Sequence, residues 1–208
     1  MSDQQDKQKR LDELRREMSA LESEIASEVR DEPWQATGYY AAYHATAGFM
    51  LGGVAAMASL LVNVIGALMF SKEPLELIRV YLTFPMGAQA LDYNSVDNGL
   101  TLAVGCCLYI ATGMLYGILF QLVLTWFTPN SSTAVRFVVV SGLAIVVWLV
   151  NFYGVLSWLQ PLLYGGNWIV EQIPPWVAAI THLVFGWTML LVFPLGRYVP
   201  YRVQTESR

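Results

Sequence analysis

Four stretches of this chain contain no Asp, Glu, Lys or Arg: 38–71, 98–135, 137–170 and 172–196. A hydrocarbon layer about 30 Å thick is crossed by roughly 20 apolar helical residues, and each stretch exceeds that. A core helix of a soluble protein keeps a polar stripe towards water, and none of the four has one. Charged residues make up 13% of the 208-residue chain, against about 25% in soluble domains. The fold expected is all-α: a polytopic membrane protein with a four-helix transmembrane bundle. Its spans fall at about 41–69, 99–127, 134–159 and 174–195, within a domain of 34–200.

Residues 1–33 form a different kind of segment. They hold six basic and ten acidic residues up to position 32, which accounts for the whole net charge of −4. Leu11, Leu14, Met18, Leu21 and Ile25 recur at steps of 3 and 4, the narrow apolar seam of a coiled coil. Residues 4–32 are therefore predicted to be an amphipathic helix that pairs through 11–25, with a helical protein partner or in a homo-oligomer. Pro33 ends it, and Trp34, Tyr39, Tyr40 and Tyr43 follow as an interfacial aromatic cluster. No part of the chain has the basic surface of a nucleic-acid binder. The first hydrophobic run starts near residue 40, too late for a cleaved leader, and is expected to act as an uncleaved anchor.

The connections also carry signals. In 74–84, Leu75, Ile78 and Leu82 share one helical face while Glu76, Arg79 and Thr83 share another. This spacing predicts a short helix in the outer interface, broken by Pro85 and Gly87. Residues 128–133 make a tight polar loop, Pro161, Gly165 and Gly166 make the next, and Pro174 and Pro175 open the last span. With the N-terminus inside, ten Lys and Arg lie on inner segments, and only Lys72 and Arg79 lie outside. The bias places both termini, including the tail 201–208, in the cytoplasm. The localisation expected is a bacterial inner membrane.

Polar residues inside a membrane are candidates for function. Here they are Asn63, Gln121, Asn151 and His182. His182 lies eight residues past Pro174, about 12 Å along its span. His44 sits at the inner end of the first span, so the two histidines are expected at different depths, against a haem held between them. The amides read first as interhelical hydrogen-bonding groups. None of these four is a carboxylate, which weighs against ion-coupled transport. No catalytic residue, metal-ligand spacing or cofactor fingerprint is found.

Gly48, Gly52, Ala56, Ser59, Asn63 and Gly66 follow one another at helical steps along the first span. Gly48 with Gly52 and Gly113 with Gly117 are GxxxG pairs, which permit close helix approach. Cys106 and Cys107 are adjacent, so their side chains diverge by about 100° and neither bridge nor chelate. They read as small buried hydrophobes.

The run Leu77-Ile-Arg-Val-Tyr-Leu-Thr-Phe-Pro-Met-Gly87, followed by 99–117 with its cysteine pair, resembles uncharacterised four-span bacterial inner-membrane proteins, some of which accompany haem–copper respiratory oxidase genes. The likeness covers the middle third of the chain. It implies a respiratory accessory role and assigns no residue. The leading expectation is a non-enzymatic membrane subunit or scaffold of a larger complex. One alternative is a small oligomeric channel or carrier, favoured if Gln121, Asn151 and His182 converge on one cavity. Another is a haem- or quinone-binding redox subunit, with His182 and Trp187 at the site.

Overall fold

The computed structural model describes residues 2–31, 37–92 and 98–198. Among them every regular element is helical. Two compact units result, 1–39 and 40–208. The boundary expected at residue 33 lies outside the described residues.

The first unit is helix α1, Ser2–Asp31. Leu11, Leu14, Met18 and Leu21 are all exposed on it. The side chain of Ile25, the last residue of the expected seam, lies outside the described residues.

The second unit is a four-span membrane domain. Its spans are 40–69 in α2 (Thr37–Met69), 99–127 in α4 (Asn98–Phe127), 133–164, and 175–196. The third span is composite. It comprises α5 (Thr133–Leu149), a π-helical segment Val150–Leu156, and α6 (Ser157–Tyr164). It passes through Pro161 and ends at Gly165, whose φ of 78° supplies the left-handed turn. Helix α7 (Trp168–Gln172) leads into α8 (Pro175–Val192), and a 3-10 turn, Phe193–Gly196, completes the fourth span.

Close backbone approach explains the small residues. A Cβ on Gly52 would stand 2.5 Å from the Gly113 carbonyl oxygen and 2.8 Å from Gly117 Cα. One on Gly117 would run into the Gly48 carbonyl, and one on Gly113 into Ala56 Cβ. The two GxxxG pairs therefore lock α2 against α4. Gly66, at the end of the stripe, meets nothing. Gly186 does the same for α8, where a Cβ would stand 2.9 Å from Val140 Cγ1 and 3.2 Å from Ala144 Cβ of α5. Phe120, Leu124, Val140, Ala144 and Met189 fill the resulting core.

The short helix predicted after the first span is α3, Glu76–Met86. Both of its faces are covered. Ile78 and Leu82 pack with Ala90 and against Leu102, Cys106 and Tyr109, while Val80 packs with Phe152, Ile169 and Ala178. Arg79 and Thr83 are buried as well, although sequence spacing set them on a polar face. A clamp explains Thr83. Gln160 Nε2 donates to Thr83 Oγ1 at 2.8 Å, and Gln160 Oε1 accepts from the Ile169 backbone N–H at 3.1 Å. One fully buried amide thus joins α3, α6 and α7. At the other end of the bundle, Arg136 donates from Nε and Nη2 to the Thr128 carbonyl at 3.2 and 3.1 Å. That caps the last turn of α4, where carbonyls lack helical partners. The two cysteines diverge as their spacing requires: Cys106 packs on the α3 cluster and Cys107 is exposed rather than buried.

A candidate ligand cavity inside the bundle

Helices α3, α4, α7 and α8, the π segment and one edge of α2 enclose a partly open cavity of about 520 Å³. Its wall is mainly apolar and includes Phe84, Phe120, Phe152 and Phe185. Among the described residues, none that lines it carries a charge at neutral pH. The polar residues that line it are Ser59, Tyr81, Tyr109, Thr112, Tyr116, Asn151, Thr181 and His182.

Each reaches the cavity for a local reason. On α4, Tyr109, Thr112, Tyr116 and Phe120 follow at steps of 3, 4 and 4, which set one helical face. Asn151 sits in the π segment, whose wider turn changes the direction of side chains relative to an α-helix. Carbonyls near the end of that segment find side-chain donors: Ser157 Oγ donates to the Tyr153 carbonyl at 2.7 Å and Trp158 Nε1 to that of Gly154 at 2.6 Å. His182 is placed by α8 and held by its own helix, with Nδ1 2.8 Å from the Ala178 carbonyl.

Hydrogen bonds fix most of these groups. Tyr116 donates to Asn151 Oδ1 at 2.6 Å. Ser59 Oγ and the Tyr109 hydroxyl are 2.8 Å apart, and Ser59 donates to the Thr181 carbonyl at 3.2 Å. Thr181 Oγ1 donates to Asn63 Oδ1 at 3.0 Å, and Asn63 Nδ2 donates to the Ser59 carbonyl at 2.9 Å. Tyr81 on α3 bonds Thr112 Oγ1 at 2.5 Å. Burial raises the Tyr81 phenol above its ordinary value, against the opposing effect of the Thr112 bond, so its hydroxyl stays protonated.

The expected polar residues divide. Asn151 and His182 meet in the cavity. Asn63 stands behind it, tying Ser59 and Thr181 in place. Gln121 is elsewhere: it is fully buried, donates to the Gly196 carbonyl at 3.2 Å, and its Oε1 has no hydrogen-bond partner among the described residues. The convergence of all three that would favour a polar conduction path therefore does not occur. Trp187 also lies apart from the cavity lining. Its indole donates to Ser141 Oγ at 3.0 Å and stacks on Phe137. His44 is buried but does not line the cavity. Sequence reasoning missed Tyr81, Tyr109, Thr112 and Tyr116, although the common face of the last three on α4 was readable.

Compared with known proteins, the chain matches no protein-family model, no curated protein and no solved structure.

Proposed function

We propose that this multi-pass membrane protein is a non-enzymatic subunit that holds a neutral, lipid-soluble ligand inside its bundle. The observation that carries this reading is the cavity of about 520 Å³, apolar in its wall and uncharged, with fixed polar groups from four helices and the π segment. Ligand sites share that character: concave, mostly apolar, with a few placed polar atoms. The absence of charge from the lining argues against ionic cargo, because an ion taken out of water needs a partner of opposite charge. The reading keeps the respiratory accessory role as its setting, in a bacterial inner membrane with both termini cytoplasmic. The test is mass spectrometry of organic extracts from protein purified in mild detergent. A stoichiometric small molecule present with the native chain and depleted by Val155→Trp, which fills the cavity, supports the reading. Extracts that contain only bulk phospholipid in both samples contradict it.

A second reading concerns the tail and is favoured by the exposed residues Leu11, Leu14, Met18 and Leu21 on α1. The tail pairs with a helix of another protein. A parallel, in-register pair of identical tails would set Arg10 against the second copy's Arg15, and Glu17 against the second copy's Glu22. Like charges beside a coiled-coil seam disfavour that pairing, so a helix of complementary charge is the better partner. Deleting 1–30 and comparing complexes extracted in mild detergent tests this. Loss of a co-migrating protein supports it, and an unchanged assembly contradicts it.

A further inference from the structure

We infer that the cavity selects ligands bearing an aromatic hydroxyl, such as a lipid-tailed phenol or quinol, over the matching carbonyl or ether compounds. This rests on the cavity being a ligand site and adds what that ligand must present.

The argument follows the protons. Carbonyl oxygens only accept, so every hydroxyl or ring N–H that bonds one has its direction fixed. Ser59 gives its proton to the Thr181 carbonyl. Tyr109 must therefore be the donor in its 2.8 Å bond to Ser59. Thr112 gives its proton to the Leu108 carbonyl at 2.9 Å, so Tyr81 is the donor to Thr112. Tyr116 donates to Asn151 Oδ1. Thr181 shares its proton between Asn63 Oδ1 and the Val177 carbonyl at 2.8 Å. His182 Nδ1 must carry a proton to bond the Ala178 carbonyl. In the neutral imidazole this leaves Nε2 with a bare lone pair, and Nε2 has no hydrogen-bond partner among the described residues.

What remains for a ligand is lopsided. Every hydroxyl proton of the lining is already used within the protein, and the tyrosine oxygens and His182 Nε2 are left as acceptors. Among the described lining residues, the one side-chain donor left is the Asn151 amide Nδ2. Imidazole nitrogen is a strong hydrogen-bond acceptor, so the ligand group that best matches the cavity is a hydroxyl proton. A carbonyl offers no proton to Nε2, and its lone pairs face those of the tyrosines. The Asn151 amide can serve a second, accepting oxygen, which a quinol also has. The ring follows from the wall, where four phenylalanines and three tyrosines provide faces and edges for an aromatic ligand.

The probes are 4-nonylphenol, 4-nonylanisole, decyl-benzoquinol with its quinone, and farnesol. Binding to the full chain in nanodiscs is read by thermal shift and confirmed by equilibrium dialysis. The phenol is expected to bind about ten-fold more tightly than its methyl ether, as loss of one buried hydrogen bond predicts, and the quinol more tightly than the quinone. Weaker binding of farnesol supports the aromatic part, and His182→Phe is expected to erase the phenol–ether difference. Equal binding of phenol and ether, or preference for the quinone, overturns the inference while leaving the cavity as a ligand site. No specific binding of any probe overturns both readings. If His182→Phe does not fold, the matched pairs on the native chain decide alone.

Discussion

Tyr116 of the second span and Asn151 of the third are joined by a 2.6 Å hydrogen bond inside the bundle. The bond ties α4 to the π segment and fixes the orientation of the Asn151 amide. Tyr116→Phe deletes it with little change in volume. The expected cost is about 0.5–1.5 kcal/mol, read as lower thermal stability in detergent. Asn151→Leu in the Tyr116→Phe background should add little, since the coupling between the two is already gone. Fully additive losses would show that the pair is not coupled.

Gly52 and Gly66 belong to one sequence stripe but to different surroundings. Gly52→Leu drives a side chain into the α4 backbone, and Gly66→Leu meets open space. The first should cost about 1–3 kcal/mol, as overpacking does, and the second should be silent. Thermal unfolding of both variants checks this, and similar behaviour of the two would contradict the α2–α4 contact.

Gln160 clamps three helices from a fully buried position. Gln160→Leu leaves the Ile169 N–H without its acceptor, at a cost of about 1–3 kcal/mol. Hydrogen exchange should therefore speed up in 168–173 and leave α5 unchanged. Unchanged protection in that segment would remove the clamp from the account.

The spans were legible because exclusion of charge over 25 or more residues has one physical reading. Boundaries were harder. The third span was expected to stop near 159, yet it continues to Tyr164, because the chain carries Pro161 within α6. The π segment that places Asn151 has no sequence period of its own, so the entry of that residue into the cavity was not readable. Burial of Thr83 was invisible for another reason: its partner Gln160 is 77 residues away. By contrast, the face formed by Tyr109, Thr112 and Tyr116 repeats at helical steps and was available to a reading that followed hydroxyls as well as amides. Gln121, whose amide was read first as an interhelical hydrogen-bonding group, bonds the Gly196 carbonyl away from the cavity.

Topology is testable independently. Reporters fused at Asn130 and after Arg208 should register as cytoplasmic, and one at Gly166 as external, following the distribution of Lys and Arg. An external signal from the C-terminal fusion would contradict the proposed orientation.

The central claim is that a lipid-soluble ligand occupies the space between α3, α4, the π segment and α8. Photolabelling with a diazirine-bearing alkylphenol, followed by peptide mapping, tests it most directly. Labels are predicted on 108–116, 147–156 and 178–185, competed by excess 4-nonylphenol and lost in Val155→Trp. Labelling spread over outward residues such as Leu100, Val138 and Leu191, unchanged by competitor or by Val155→Trp, would contradict it.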